Sequence, residues 1–222
     1  MNLLDALSLF ASIALFVGYH RFLARRLKRD PYYTVHALNN FARMRWVESV
    51  MQSDRADVLA VQTLRNSVMA SSFMASTAIL LMIGTLTVAG SAHDGSVWHT
   101  INLGGATHDT LLAWRLVALI ADFFIAFFCF AMAVRFFTHT GYMINVPPAL
   151  RVDVLSPAKV AAYLNRAGTF YVVGTRSFFY SVPLVFWLFG PPFMVASTVV
   201  VLLALYRMDR APVEKRGDQI PV

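Results

Sequence analysis

An apolar run and a basic cluster meet in residues 3–29, which read LLDALSLFASIALFVGYHRFLARRLKR. The apolar part covers residues 3–19, and these 17 residues are just enough for a helix that crosses a bilayer. The basic residues follow the apolar run, whereas a cleavable signal peptide has them in front. The stretch therefore predicts a retained membrane helix with its N-terminus outside the cell.

The segments on either side of the second apolar run differ sharply in charge. Residues 20–65 carry nine Lys and Arg, whereas residues 91–112 carry none. Basic loops of membrane proteins stay in the cytoplasm, so 20–65 is predicted to be cytoplasmic and 91–112 to form an outer loop. The net charge of +7 is explained by such loops, and we expect no nucleic-acid partner.

The last apolar stretch, residues 167–206, is too long for one span and is interrupted by Gly190-Pro191-Pro192. A single kinked helix would place the basic C-terminal tail outside. A hairpin of two helices, 168–189 and 192–206, returns that tail to the cytoplasm and keeps every basic cluster on one side. The positive-inside rule favours the hairpin, whose short second arm either spans the bilayer or is re-entrant.

The predicted fold is a single all-α membrane domain over residues 1–222, with three long transmembrane helices and a C-terminal hairpin. We expect it in a bacterial inner or plasma membrane, with the C-terminus in the cytoplasm. The predicted membrane segments are 3–19, 66–90, 111–137, 168–189 and 192–206.

One stripe in the cytoplasmic segment has helical spacing and predicts an amphipathic helix on the inner membrane surface. Its apolar members are Ala37, Phe41, Met44, Val47 and Met51. Asp54 and Asp57 resemble the cap and acidic first turn of the following helix. The basic residues of this segment are expected to contact anionic lipid head groups.

Asp122 is the most unusual residue of the third apolar run, because it lies seven residues after Arg115 and thirteen before Arg135. An ionisable group at that depth is costly and is a functional hypothesis by default. It either belongs to a proton or ion pathway, or pairs with a cation such as Arg176. A structural hydrogen bond to a neighbouring helix is the competing interpretation.

The outer loop carries His93, His99 and His108, which are weak candidates for metal ligands because their spacing matches no specific metal signature. Cys129 is the only cysteine and lies in an apolar run, so no disulfide is possible within the chain. No catalytic motif or cofactor-binding loop is present, and we predict that the protein is not an enzyme.

Four stretches resemble an uncharacterised membrane family, the domain of unknown function 599. The clearest is LAVQTLRNSVMASS at residues 59–72. The others are Gly18-Tyr19-His20, residues 128–147 and the Phe189-Gly190-Pro191 break. The resemblance covers nearly the whole chain and implies an integral membrane protein of several helices, with no family activity to transfer.

Polar residues of the family-like stretches are predicted to meet in a cluster under the inner end of the bundle. The six residues are Gln62, Arg65, Asn66, Arg135, His139 and Asn145. The cluster is either a binding site for an anionic solute or lipid head group, or a structural lock between loops.

Two classes of function remain open. The first is small-solute or ion transport, for which Asp122 and the polar cluster would be the working parts. The second is a non-catalytic scaffold or assembly subunit, which would contact a membrane partner or a second copy through small residues. Ser67, Ser71 and Ala75 share such a face, although the same hydroxyls could line a polar pore.

Overall fold

The structure is a computed structural model that describes residues 3–53, 58–91, 109–152 and 155–211. These ranges contain six α-helices and one short 3-10 turn, and they contain no strand. The elements are α1 (Leu3–Arg29), α2 (Val35–Gln52), α3 (Val58–Ser91), α4 (Asp109–Ile144), the turn Pro148–Leu150, α5 (Pro157–Trp187) and α6 (Pro191–Asp209). The all-α prediction is confirmed.

Four helices are long and apolar enough to cross a membrane. They are α1, α3, α4 and α6, and their membrane-compatible parts are Leu3–Arg29, Val58–Gly90, Leu111–Ile144 and Pro191–Asp209. Large apolar side chains on their surfaces are exposed, for example Leu80 and Phe124, as expected for helices that contact lipid. The chain is an integral membrane protein. That residues 1–222 form a single domain stays a prediction.

α5 is not among these four helices, although its 31 residues would extend over about 46 Å. It contacts α2, α4 and α6, and it buries residues along its whole length, from Val160 to Trp187. Because α2, α4 and α6 cover part of its surface, α5 does not need the uniformly apolar surface of a lipid-facing helix. The predicted segment 168–189 therefore corresponds to a partly covered helix that carries polar residues.

The chain reverses direction at Gly190, as the hairpin interpretation requires. The backbone φ of Gly190 is 140°, a conformation that only glycine adopts readily, and Pro191 begins α6 at a position where its missing N–H costs nothing. Arg176 of α5 and Asp209 of α6 lie on opposite sides of this turn and form an ion pair of 2.8 Å. The two helices are therefore antiparallel, and the single kinked helix is excluded.

Contacts between neighbouring helices define two ends of the bundle. Tyr19 of α1 contacts the end of α6, Leu64 near the start of α3 faces Gly141 of α4, and Phe136 of α4 packs on Tyr163 of α5. We call the end where α1, α4 and α6 finish and α3 and α5 begin the basic end. The opposite end contains the starts of α1 and α4.

α2 packs beside α5 at the basic end of the bundle. Thr34 caps it, because its Oγ1 accepts a 3.2 Å hydrogen bond from the Ala37 N–H. Val47 and Met51 are fully buried in the core formed with α3, α4 and α5, so this face of α2 contacts protein rather than lipid. Asp54 and Asp57, the predicted cap of α3, lie outside the described residues.

The small residues of α3 serve the packing of the bundle. Ser71 is fully buried, its hydroxyl donates to the Ser67 carbonyl at 2.8 Å, and Ala75 packs against the core shared with α4. The hydroxyls are therefore satisfied within α3, while the small side chains allow close helix contact. Ser72 and Ser76, on another face, are exposed.

Candidate functional site

A cavity of about 770 Å³ lies between α2, α3, α4 and α5 at the basic end. α2 contributes Arg43 and Trp46 to its wall, and the other three helices contribute mostly apolar side chains. The lining residues are Asn39, Ala42, Arg43, Trp46, Thr63, Leu64, Asn66, Ser67, Ala70, Phe137, Leu164, Gly168, Tyr171 and Val172. Arg43 is the only charged residue among them. We call this space the Arg43 cavity.

Arg43 is held in place by two asparagines. Its Nη1 donates to Asn40 Oδ1 at 3.0 Å and to Asn165 Oδ1 at 3.4 Å. The amide of Asn165 in turn donates to the Asn40 carbonyl at 3.2 Å, which joins α5 to α2. Gly168 lies directly beneath the guanidinium, and a methyl group at that position would overlap with it. The absence of a side chain at Gly168 therefore creates the seat for Arg43.

Arg43 has no carboxylate partner in the described part of the chain. The three ion pairs found there join Arg45 to Glu48, Arg115 to Asp5 and Arg176 to Asp209. Burial lowers the pKa of the half-buried Arg43, but an arginine remains protonated near neutral pH. The cavity therefore presents a fixed positive charge whose present hydrogen-bond partners are neutral.

His36 extends this polar group one turn toward the start of α2. Its Nε2 lies 3.4 Å from Asn40 Nδ2, and its Nδ1 is buried without a hydrogen-bond partner. Burial is the main cause that lowers the pKa of His36, and the charges of Arg43 and Arg176 add to it while Asp209 opposes it. The imidazole is therefore neutral at pH 7.

Acidification is expected to weaken the docking of α2 through His36. The folded protein binds this proton less readily than the unfolded chain, so stability falls as pH drops below the ordinary histidine pKa of about 6.5. Melting temperatures measured in detergent between pH 7 and pH 5 test this. His36→Gln should reduce the pH-dependent loss, whereas His139→Gln, at an exposed imidazole, should not. Equal loss in wild type and His36→Gln would exclude His36 as the cause.

Comparison with known proteins places the chain in a family. A family model described as "Protein of unknown function, DUF599" matches residues 7–213. The chain belongs to this family. No curated protein and no solved structure matches the sequence. The match extends over all six helices, so the Arg43 cavity lies wholly within the DUF599 region.

Asp122 of this DUF599 protein is bound to α5, but not to Arg176. Its Oδ1 accepts a 2.7 Å hydrogen bond from Ser177 Oγ, and its Oδ2 is buried without a partner. Arg176 instead donates to Asp209 Oδ2 at 2.8 Å, which also accepts from Tyr19 at 2.7 Å. The pairing with Arg176 considered from the sequence is wrong, because successive residues of a helix point in different directions. Asp122 lines neither the Arg43 cavity nor the groove described next.

The six-residue polar cluster predicted at the basic end is not formed. All six side chains are exposed, and no hydrogen bond or ion pair joins any two of them within the described residues. Arg65 and Asn145 line a groove of about 350 Å³ between α3 and α4, while Asn66 lines the Arg43 cavity. Leu64 and Phe137 are buried at this interface and separate the polar groups.

The predicted metal ligands lie in the segment between α3 and α4. His93, His99 and His108 lie outside the described residues. Among the residues that are described, no group of three or more His, Cys, Asp or Glu could hold a metal ion.

The opposite end of the bundle contains a buried ion pair that the sequence did not reveal. Arg115 Nη2 donates to Asp5 Oδ1 at 2.7 Å, and Arg115 and Asp5 are only 2% and 4% exposed. Trp187 completes the cluster, because its Nε1 donates to the same oxygen at 3.4 Å and its ring lies 5.3 Å from the guanidinium. The pair fixes the starts of α1 and α4 against the end of α5.

Arg43 was also missed, because a charged residue of an amphipathic helix is ordinarily assigned to the solvent face. A signal was nevertheless present in the helical spacing. Arg43 precedes the buried residues Val47 and Met51 by four and eight positions and so shares their face. Gly168 on α5 gives this face room for a guanidinium.

Proposed function

We propose that this protein binds an organic anion in the Arg43 cavity, and that this binding serves small-solute transport. The observation that carries the proposal is a half-buried guanidinium, free of any carboxylate partner in the described residues, that faces a cavity of about 770 Å³. Arginine binds carboxylates and phosphates through paired N–H donors, and ligand cavities are ordinarily about 300–1,000 Å³.

The charge pattern supports a cytoplasmic position for this site. The basic end carries the cluster formed by Arg21, Arg25, Arg26, Lys28 and Arg29 at the end of α1. By the positive-inside rule this end faces the cytoplasm, with the N-terminus outside and the C-terminus inside. We propose a bacterial inner or plasma membrane as the protein's location.

The cavity favours the transport class over the scaffold class. A scaffold or assembly subunit needs a surface that contacts its partner, and this role does not require a charged cavity such as the Arg43 cavity. A role in transport requires a binding site, and the Arg43 cavity has the composition of one. We propose a non-enzymatic role for the cavity, because its wall contains a cation and amides but no acid or nucleophile paired with a base. Asp122 is then a structural residue of the α4–α5 contact.

Calorimetric titration of the purified protein with octanoate, in a non-ionic detergent, tests the proposal. Wild-type protein should bind octanoate more tightly than octanol, which lacks the charge. Arg43→Gln should weaken octanoate binding by about ten- to a hundredfold, because a hydrogen bond to a charged group contributes about 1.5–3 kcal/mol. Arg45→Gln is the matched control, since Arg45 lies on the same helix with its side chain 65% exposed.

Gly168→Ala provides a second test that leaves Arg43 in the sequence. The added methyl group displaces the guanidinium from its seat, and a flexible arginine can move without unfolding the helix. Octanoate affinity should therefore fall while the melting temperature changes little. Equal affinity of Arg43→Gln and Arg45→Gln, or equal binding of octanol and octanoate, would contradict the proposal.

A further inference from the structure

The wall of the Arg43 cavity is charged at one place and apolar around it. Leu64, Phe137 and Leu164 form a buried apolar floor. Tyr171 and Val172 continue the apolar wall along α5, and Ala70 continues it along α3. A small hydrophilic anion would leave this apolar surface in contact with water. The wall fits a molecule that has one anionic group and an apolar tail.

The cavity is accessible from the gap between α2 and α3. α2 packs on α5 and makes few contacts with α3. The residues that border the gap are exposed on both sides. They are Asn39 and Ala42 on α2 and Thr63, Asn66 and Ala70 on α3. A ligand can therefore enter sideways between two helices.

We expect the gap to lie at the depth where lipid head groups meet acyl chains. The membrane segments predicted from the sequence, 66–90 and 111–137, have Asn66 and Phe137 at their basic ends, and both residues line the cavity. Ala70 lies one helical turn deeper than Asn66 along α3. An anionic head group at its usual depth in the bilayer would thus contact Arg43, and its acyl chain would contact the apolar wall.

Arg43 is not placed to extend toward water, as lysine and arginine side chains at membrane surfaces usually do. Its hydrogen bonds to Asn40 and Asn165 and its seat on Gly168 hold the charge beside the apolar wall. A charge fixed there can bind an anionic head group while the attached chain lies on the apolar wall.

We propose that the ligand of the Arg43 cavity is a single-chain anionic amphiphile taken from the bilayer. Its carboxylate or phosphate binds Arg43, and its acyl chain lies along Ala70, Tyr171 and Val172 toward the membrane interior. The inference rests on the proposed function and specifies its substrate class. The cavity volume of about 770 Å³ lies within the range of about 300–1,000 Å³ for sites of drug-sized molecules, and on this ground we assign it a ligand with one chain.

Quenching of Trp46 by brominated lipids tests the inference, because Trp46 lines the cavity. In detergent, 9,10-dibromostearate should quench the part of the fluorescence that Trp46→Phe removes. Its methyl ester, which lacks the charge, should quench this part at least tenfold less effectively. Brominated lysophosphatidic acid and brominated two-chain phosphatidic acid then distinguish head group from chain number, and we expect quenching only by the first.

Ala70→Phe places a ring at the membrane side of the gap between α2 and α3, where it obstructs the acyl chain but not the head group. It should weaken stearate binding at least tenfold and leave acetate binding unchanged. Leu80→Phe, at a side chain that is 68% exposed on the same helix, should change neither. If Ala70→Phe lowers the melting temperature, Val172→Phe replaces it.

The two proposals fail in different ways. If affinity does not increase with chain length from octanoate to stearate, or if Ala70→Phe and Val172→Phe bind stearate like Leu80→Phe, the ligand is not an amphiphile. If two-chain phosphatidic acid quenches as well as the single-chain lipid, the site does not select a single-chain ligand and the inference is wrong. In these cases a loss of octanoate binding in Arg43→Gln would still support the proposed function. If Arg43→Gln binds every probe like wild type, both proposals are wrong.

Discussion

Arg115→Met is expected to lower the free energy of unfolding by about 3–5 kcal/mol, because it leaves the buried carboxylate of Asp5 without its cation. Asp5 and Arg115 are 4% and 2% exposed and are joined at 2.7 Å. The remaining hydrogen bond to Asp5, from Trp187 at 3.4 Å, is too long to replace a guanidinium. Unfolding in mixed micelles of increasing denaturing-detergent content measures the change.

A double variant separates the loss of the pair from the burial of an unpaired charge. Asp5→Asn combined with Arg115→Met removes both charges and should recover most of the stability. Arg45→Met is the surface control, since the Arg45–Glu48 pair is exposed and should contribute at most about 1 kcal/mol. If Arg115→Met and Arg45→Met cost the same, the buried pair is not what holds α1 to α4 and α5.

Phe130→Ala is expected to have a comparable effect, of about 3–5 kcal/mol, at the contact between α4 and α5. Phe130 is fully buried and its ring packs against Tyr171 and Phe178, with centroid distances of 5.6 and 5.5 Å. In a membrane protein the cost comes mainly from the lost packing contacts in the cavity. The same unfolding measurement applies, with Phe124→Ala at a 54% exposed position as control.

Gly174→Ala tests the contact between α4 and α5 from the α5 side. An added Cβ at Gly174 would lie 2.9 Å from Cζ of Phe130, and a buried ring cannot move aside as an arginine can. The single substitution should therefore cost about 1–3 kcal/mol through overpacking. Combined with Phe130→Ala it should cost less than the sum, because the methyl group occupies vacated space. Additive losses would show that the two residues do not share this contact.

The charge pattern of the sequence was sufficient to predict the membrane class and the hairpin. Basic residues after α1 and around α5 favoured a reversal of the chain at Gly190 over a single kinked helix, and the ion pair between Arg176 and Asp209 confirms that reversal. Hydropathy was less informative for α5, because a helix that is partly covered by other helices can carry polar residues that a lipid-facing helix excludes.

The candidate site could not be predicted in the same way. Arg43 and Gly168 lie on helices far apart in the sequence, and only the packing of α2 on α5 brings them together. Asp5 and Arg115 are likewise 110 residues apart. Long-range pairs of this kind leave no local spacing to detect. The predicted polar cluster was based instead on stretches such as 59–72, whose polar residues, for example Arg65, are exposed.

The most direct test of the central claim is an experimental structure of the protein with 8-bromooctanoate, in which the bromine locates the tail and the density locates the carboxylate. We predict a carboxylate at hydrogen-bond distance, about 2.7–2.9 Å, from the guanidinium of Arg43, with the tail inside the Arg43 cavity. A carboxylate bound instead at the basic cluster of α1 or in the Arg65 groove, with Arg43 still bonded only to Asn40 and Asn165, would contradict it.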